Sequence, residues 1–314
     1  MKYNIFIDGS QGTTGLKIQE RFEGREDVNL LTLAESERKD PASRKEMLNQ
    51  ADFVFLCLPD QAAREAVAMV ENPSVKIIDA STAHRTLDDW AYGFPELSPK
   101  HLEKIQNSHR VAVPGCYASG FLSLVYPVVS QKILPADFPL TTFGISGYSG
   151  GGKEAIKMYE MDQRKKELSS PRMYALALGH KHLAEMQKIG GLSQKPLFTP
   201  IIDDYYAGML VNIPLPYGST GKTAEEIQGF FQEYYQNQEM IRVMPFLGEG
   251  VLEDGTLPAN ALENQDGLEI FVCGNQEQTL LTARLDNLGK GASAAAIQCM
   301  NLMMGVDPKR GLSW

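Results

Sequence analysis

Cys116 stands in the run Val111-Ala112-Val113-Pro114-Gly115-Cys116-Tyr117-Ala118-Ser119-Gly120. A short β-branched segment ends in Pro-Gly, the cysteine follows at once, and small residues open what reads as a helix. That pattern puts the sulfur at a helix N-terminus, where unpaired N–H groups and the helix dipole favour thiolate over thiol. A thiolate in such a turn is a nucleophile, although a cysteine taken alone is more often a small buried apolar residue. His180-Lys181-His182 holds the only closely spaced histidines in the chain. Read as a strand, its alternation puts both imidazoles on one face. No third ligand for a metal lies nearby, so the sharper reading is a general base for a thiol elsewhere in the chain. Without Cys116 the pair would read as surface or interface histidines.

Three glycine-rich segments suggest where ligands lie. Gly9-Ser10-Gln11-Gly12-Thr13-Thr14-Gly15 departs from the common G-x-G-x-x-G pattern only in its first gap, with a strand before it and a helix after it. Glycines there let the backbone approach a pyrophosphate, and the helix start supplies N–H donors. A tight turn with no ligand is the alternative. Glu35, about twenty residues on, hints at a ribose 2′-hydroxyl partner, whereas Ser36, Arg38 and Lys39 could cradle a 2′-phosphate or form a solvated loop. Gly147-Tyr148-Ser149-Gly150-Gly151-Gly152-Lys153 resembles an anion cradle, with consecutive N–H groups, a hydroxyl and a cation before a helix. Its glycine spacing is wrong for a Walker A loop, and a plain glycine-rich turn is the other reading. Asp286-Asn287-Leu288-Gly289-Lys290-Gly291 runs into the tiny-residue stretch from Ala292 to Ala296. Such a helix permits close approach by backbone or cofactor, or tight packing at a domain junction.

The elements that must position these residues alternate. Residues 3–7, 29–33, 52–58, 76–79 and 111–113 read as strands, with helices after the first glycine loop and over 61–71; this is an open parallel sheet with right-handed crossovers. Beyond about residue 140 the texture changes. Strands are expected at 141–146, 201–214, 242–246, 268–274 and 278–286, the last three antiparallel because short turns join several of them, with helices at 154–166 and 223–235 and a loop at 147–152. A helix over 291–304 could pack back on the first domain. With 314 residues and a net charge of −9, the chain is long enough for two domains, and its charge argues against a nucleic-acid or acidic-membrane partner. A local basic pocket stays open. Four scattered cysteines (Cys57, Cys116, Cys273, Cys299) with no CxxC pair suit a reducing cytosol and give no zinc signal. The first strand runs straight into a glycine loop and no apolar stretch is long enough to span a membrane, so a cytoplasmic protein is expected.

Together these blocks resemble the N-acetyl-γ-glutamyl-phosphate reductase family in its short (type 2) form. The resemblance runs over nearly the whole chain: residues 8–16, 56–60, 79–85, 92–97, 114–117, 146–153, 180–182 and 286–291. The most specific blocks are Ser146–Lys153 and Asp286–Gly291. Ser119 stands where the longer form usually has Thr, and Ala184 where Pro is common; neither touches the nucleophile. The resemblance implies an α/β fold similar to aspartate-semialdehyde dehydrogenase. A Rossmann-type parallel-sheet domain would span 1–116, completed by the C-terminal helix 289–314, and an α+β catalytic and dimerisation domain 117–288.

It further implies NADPH-dependent reduction of an acyl phosphate to an aldehyde with release of phosphate, in arginine biosynthesis, through a thioester on Cys116. His180, six residues after Tyr174 as in the longer form, would be the base, with His182 as the fallback. Ser149, Lys153 and Tyr174 would be further catalytic or substrate contacts, and no metal is called for. NADP would be held by Gly9, Ser10, Gly12, Thr13, Thr14 and Gly15, with Leu58, Pro59, Ser81 and Asn287, and its 2′-phosphate by Ser36, Arg38 and Lys39. A small-molecule acyl phosphate and a homodimer or homotetramer complete the expectation. Two other readings stay open: an aspartyl-phosphate reductase of the same mechanism, and a non-catalytic dinucleotide-binding sensor. The intact set Cys116, His180, Ser149 and Lys153 speaks against the sensor.

Overall fold

In the computed structural model, which describes residues 2–216 and 218–314, the early strand–helix alternation builds a six-stranded parallel sheet. Its strands are β1 (Tyr3–Asp8), β2 (Val28–Leu31), β3 (Phe53–Leu56), β4 (Lys76–Asp79), β5 (Ala91–Tyr92) and β6 (Arg110–Ala112). They lie in the order β2-β1-β3-β4-β6-β5. Parallel neighbours need crossovers, supplied here by α1 (Thr13–Glu20), α2 (Pro41–Gln50), α3 (Asp60–Met69) and α4 (Pro99–Asn107). β3 shows why both faces are covered. Phe53 and Phe55 join one core with Ile5, Ile18 and Phe22, and Val54 and Leu56 join the other with Leu48 and Ala63. The helix Ala294–Met304 packs into the first of these cores through Ile297 and Met300. The chain leaves β1 for β2 on one side and returns to β3 on the other. The Gly9–Gly15 loop therefore sits at the switch point, where open α/β sheets bind ligands. The edge strand β5 is not legible in the sequence, because two residues carry no periodicity.

The chain divides into two compact units: residues up to Pro114 with Ala292–Leu312, and Gly115–Gly291 with Ser313–Trp314. The second holds α5 (Cys116–Ser130), α6 (Gly152–Glu160), α7 (Leu183–Gly190) and α8 (Ala224–Tyr235). Its strands are β7 (Thr141–Gly147), β8 (Arg172–Met173), β9 (Leu197–Asp203), β10 (Met209–Leu215), β11 (Ile241–Val243), β12 (Leu268–Gly274) and β13 (Thr279–Leu285), ordered β11-β12-β13-β10-β7-β9-β8. The sheet is mixed rather than antiparallel: β7 pairs with β9 and β11 with β12 in parallel. Both pairs are joined by long connections instead of hairpins, and only such connections can return a chain to the same end of a sheet. The stretch 201–214 breaks into the ends of two strands around a turn, and the helix expected over 154–166 stops at Glu160. α8 begins with a capping box, Thr223 and Glu226 satisfying each other's backbone amides. No helix of the described residues is long and apolar enough to cross a membrane.

Candidate active site

In the first unit, a cavity of about 690 Å³ opens at the switch point, within the usual range of a small-molecule site (roughly 300–1,000 Å³). Gly9, Ser10 and Gly12 line one side and Leu58 the floor, and the turn after β2 contributes Glu35, Ser36, Arg38 and Lys39. Arg44 also lines the cavity, but it is held by Asp8 in a 2.7 Å ion pair. The three glycines are needed for different reasons. A Cβ at Gly9, whose φ is +88°, would stand 2.3 Å from the Cys57 carbonyl oxygen, and one at Gly15 2.5 Å from that of Gly9. At Gly12 nothing closer than 3.4 Å is met, so the protein's own packing leaves that space for something else. No side chain caps α1, and Thr13 Oγ1 is buried there without a hydrogen-bond partner. An anion at this helix start would satisfy both. Thr14 follows in the same turn, and Pro59 is the N-cap of α3. Ser81 is turned inward, its hydroxyl donating to Asp79 at 2.7 Å.

In the second unit, Cys116 is the first residue of α5, and no side chain caps that helix. Its Cβ is so close to Gly291 that a Cβ there would lie 2.8 Å away. The preceding amide, Gly115 N–H, donates to Glu185 Oε2 at 3.2 Å. Tyr117 lies over β7, where only the glycine at 144 leaves room for its ring, and its hydroxyl donates to the Ile201 carbonyl at 3.1 Å. Around that ring gather His180 at 5.8 Å, His182 at 6.2 Å and Phe198 at 5.0 Å between centroids. Tyr174 also packs against His180, at 5.8 Å. Burial pushes the Tyr174 hydroxyl up to about 12, with the Tyr117 hydroxyl and the Cys116 sulfur close enough to act on it. His180, His182 and Tyr174 thus pack in one cluster with Tyr117, the residue next to Cys116.

The histidines do not lie on a strand. The segment is a turn leading into α7, with His182 at its N-cap, so they come together by a bend and not by alternation. The two rings meet edge to face at 4.6 Å. The His182 N–H donates to His180 Nδ1 at 3.1 Å, so the neutral His180 ring carries its proton on Nε2. Burial first, and Lys181 second, push the His180 imidazole down to about 4; the ring is neutral at ordinary pH.

The glycine-rich loop after β7 is a short 3₁₀ turn, Tyr148–Gly151, feeding α6. Its backbone is pinned to the turn between β9 and β10: Tyr148 N–H donates to the Tyr205 carbonyl and Ser149 N–H to that of Tyr206. Asn287 bridges the two segments, donating to Ser149 Oγ and accepting from Gly208 N–H, both at 2.9 Å. Lys153 lies exposed in the first turn of α6.

Comparison with known proteins agrees with this architecture. Residues 4–105 match the family model described as semialdehyde dehydrogenase, NAD binding domain, and residues 116–287 its dimerisation domain. An N-acetyl-gamma-glutamyl-phosphate reductase 2 of Nostoc sp. is 48% identical, with 99% of each chain covered. That of Pseudomonas putida is 46% identical over 98% of each. The chain belongs to the N-acetyl-γ-glutamyl-phosphate reductase family. The chain shares its fold with aspartate semialdehyde dehydrogenase II of Vibrio cholerae, which superposes with a TM-score of 0.70 over 97% of this chain and 99% of the other at 15% identity. The aspartate semialdehyde dehydrogenase of Francisella tularensis superposes with a TM-score of 0.71 over 96% and 100% at 14% identity. Like its reductase relatives, the chain is an oxidoreductase with a nicotinamide-dinucleotide-binding domain.

Within the reductase site, two contributors escaped the sequence reading. Glu185 becomes visible only once α7 is known, because it then falls in the first helical turn after His182. Tyr117, next to the nucleophile, is the ring on which the histidines pack; a buried tyrosine beside a cysteine carries no pattern of its own.

Proposed function

We propose that the protein reduces N-acetyl-L-glutamyl 5-phosphate to N-acetyl-L-glutamate 5-semialdehyde with NADPH, releasing phosphate. The observation that carries the chemistry is Cys116 at the uncapped start of α5, with His180 and His182 packed around the ring of the adjacent Tyr117; the substrate follows the names of the reductase relatives. The Cys116 thiolate attacks the acyl-phosphate carbonyl. Amides at the start of α5 receive the developing oxyanion, and phosphate leaves to give a thioester. Sulfur overlaps poorly with the carbonyl, so this acyl group stays electrophilic. When bound, NADPH supplies the hydride that reduces it. A base must take the thiol proton at the outset and return it to the sulfur as the aldehyde departs.

His180 is the expected base, but its Nδ1 lone pair is engaged by the His182 amide. The geometry therefore favours a division of labour: His182 moves the proton, and His180 presents Nε2–H to a substrate oxygen. Ser149 and the exposed cation of Lys153 suit the leaving phosphate. NADP rather than NAD is supported by Ser36, Arg38 and Lys39, which line the same cavity as Gly9, Ser10 and Gly12 and would hold a ribose 2′-phosphate. Gly9, Ser10, Gly12, Thr13 and Thr14 would hold the pyrophosphate, and Leu58, Pro59, Ser81 and Asn287 complete the proposed contacts.

The enzyme works as a homo-oligomer of two or four copies in this reading, supported by the matched dimerisation domain. The absence of disulfides among its four cysteines suits a cytoplasmic setting. Phosphate-dependent oxidation of N-acetylglutamate semialdehyde, run beside aspartate semialdehyde and with NADP beside NAD, tests the substrate and the coenzyme. Faster turnover of aspartate semialdehyde, or a preference for NAD, would overturn the respective part.

A further inference from the structure

Tyr205 lies in the turn between β9 and β10, and its hydroxyl is buried without a hydrogen-bond partner. Its backbone needs no help from that hydroxyl. The carbonyl accepts from Tyr148 N–H at 2.9 Å and the amide donates to the Asp203 carbonyl at 3.0 Å. The residue is therefore tied to the glycine-rich loop by main chain alone, and a phenylalanine would keep both bonds. A buried polar group left unsatisfied destabilises the fold, so a hydroxyl retained at such a place calls for a partner the protein itself does not supply.

The surroundings say what that partner is. Tyr205 is close enough to Tyr117 to push its hydroxyl further up, as are Tyr174 and Cys116. The Cys116 sulfur acts on Tyr117 and Tyr174, but not on Tyr205, whose neighbour is the Asp203 carboxylate. Tyr205 therefore neighbours Tyr117, the residue next to the reacting sulfur. Burial and Asp203 both hold it protonated; it is a donor with no acceptor.

We propose that the Tyr205 hydroxyl donates a hydrogen bond to an acceptor oxygen at the end of the substrate remote from the reacting carbonyl, the acylamino carbonyl or the α-carboxylate, and so serves as a substrate-recognition residue. The assignment rests on the N-acetylglutamyl-phosphate reading and deepens it. A site with a buried donor discriminates strongly against substrates that lack the acceptor, because the donor is then left unpaired.

The test is Tyr205→Phe in the intact enzyme. The Michaelis constant for N-acetylglutamate semialdehyde should rise roughly tenfold to a hundredfold, the range for one hydrogen bond lost to a ligand. Iodoacetamide should inactivate the variant at the wild-type rate, and its melting temperature without ligands should be equal or higher. Glutarate semialdehyde, which keeps the carboxylate and lacks the acylamino group, locates the bond. A penalty that vanishes on it marks the acylamino oxygen, and one that persists marks the carboxylate. An unchanged Michaelis constant overturns the proposal, as does a lower melting temperature with slowed alkylation, which would make the hydroxyl structural. Wild-type enzyme inactive on N-acetylglutamate semialdehyde defeats the activity reading instead, so the two failures are distinguishable.

Discussion

The Gly115 amide and the Glu185 carboxylate meet at 3.2 Å, and through them the start of α7 holds the N-cap of the helix that Cys116 opens. The buried carboxylate fixes a backbone unit one residue before the nucleophile. The sulfur is thus placed by main chain.

Alkylation should therefore single out Cys116. Burial and the nearby Asp79 and Asp8 carboxylates push the Cys57 thiol up to about 12, burial raises that of Cys273, and Cys299 is fully buried. Iodoacetamide labelling followed by peptide mapping should find Cys116 first, with acyl-phosphate substrate protecting it. Cys116→Ala should lower turnover by more than about a thousandfold, as loss of a covalent nucleophile does. Preferential labelling of Cys57, or full activity in the alanine variant, contradicts the assignment.

The two histidines should separate by pH profile. His180 is held near 4 and stays neutral above that, so any acid limb in kcat/KM above pH 5 belongs to another group and should survive His180→Asn. That variant should lose roughly a hundredfold, the scale of one missing oxyanion-type donor. His182→Asn should lose on the order of a hundred- to ten-thousand-fold, the range of general-base catalysis. Near-normal turnover in His182→Asn, with the limb gone in His180→Asn, would return the base to His180.

Glycine substitutions should distinguish fold from ligand binding in the first loop. Gly9→Ala forces a Cβ to 2.3 Å from the Cys57 carbonyl at a positive φ, and should cost several kcal/mol (about 2–4, as for strained backbone plus a clash) in urea unfolding. Gly12→Ala meets only ordinary contact, so its stability should stay within about 1 kcal/mol while its Michaelis constant for NADPH rises. Equal losses of stability in both variants would mean that Gly12 serves the turn alone.

Coenzyme choice should follow the turn after β2. Arg38→Ala with Lys39→Ala should raise the Michaelis constant for NADPH about ten- to a hundredfold, the worth of charge-assisted bonds to a 2′-phosphate, and leave that for NADH nearly unchanged. Parallel effects on both coenzymes would assign Glu35, on the same rim, the leading role.

Much of this protein is local and was legible as such. The alternating apolar runs specify the parallel sheet, since strands covered on both faces must be apolar throughout, as Phe53–Leu56 is. The glycine loop announces itself because Gly9 and Gly15 are sterically required where they stand. The Pro-Gly-Cys run marks the helix start at Cys116 because backbone chemistry at a helix end depends on adjacent residues. Strand direction in the second unit was not legible, because it depends on where a long connection ends. Nor was the bend at His180–His182, whose ring pairing needs Tyr117 and Phe198 as a floor. The Glu185 contact spans 70 residues of chain, and Asn287 reaches Ser149 across 138. The chemical types at the site are properties of single residues and could be read one by one; which nitrogen carries a proton and which carboxylate holds an amide are relations between distant side chains, and only the closed tertiary structure brings those side chains within bonding distance.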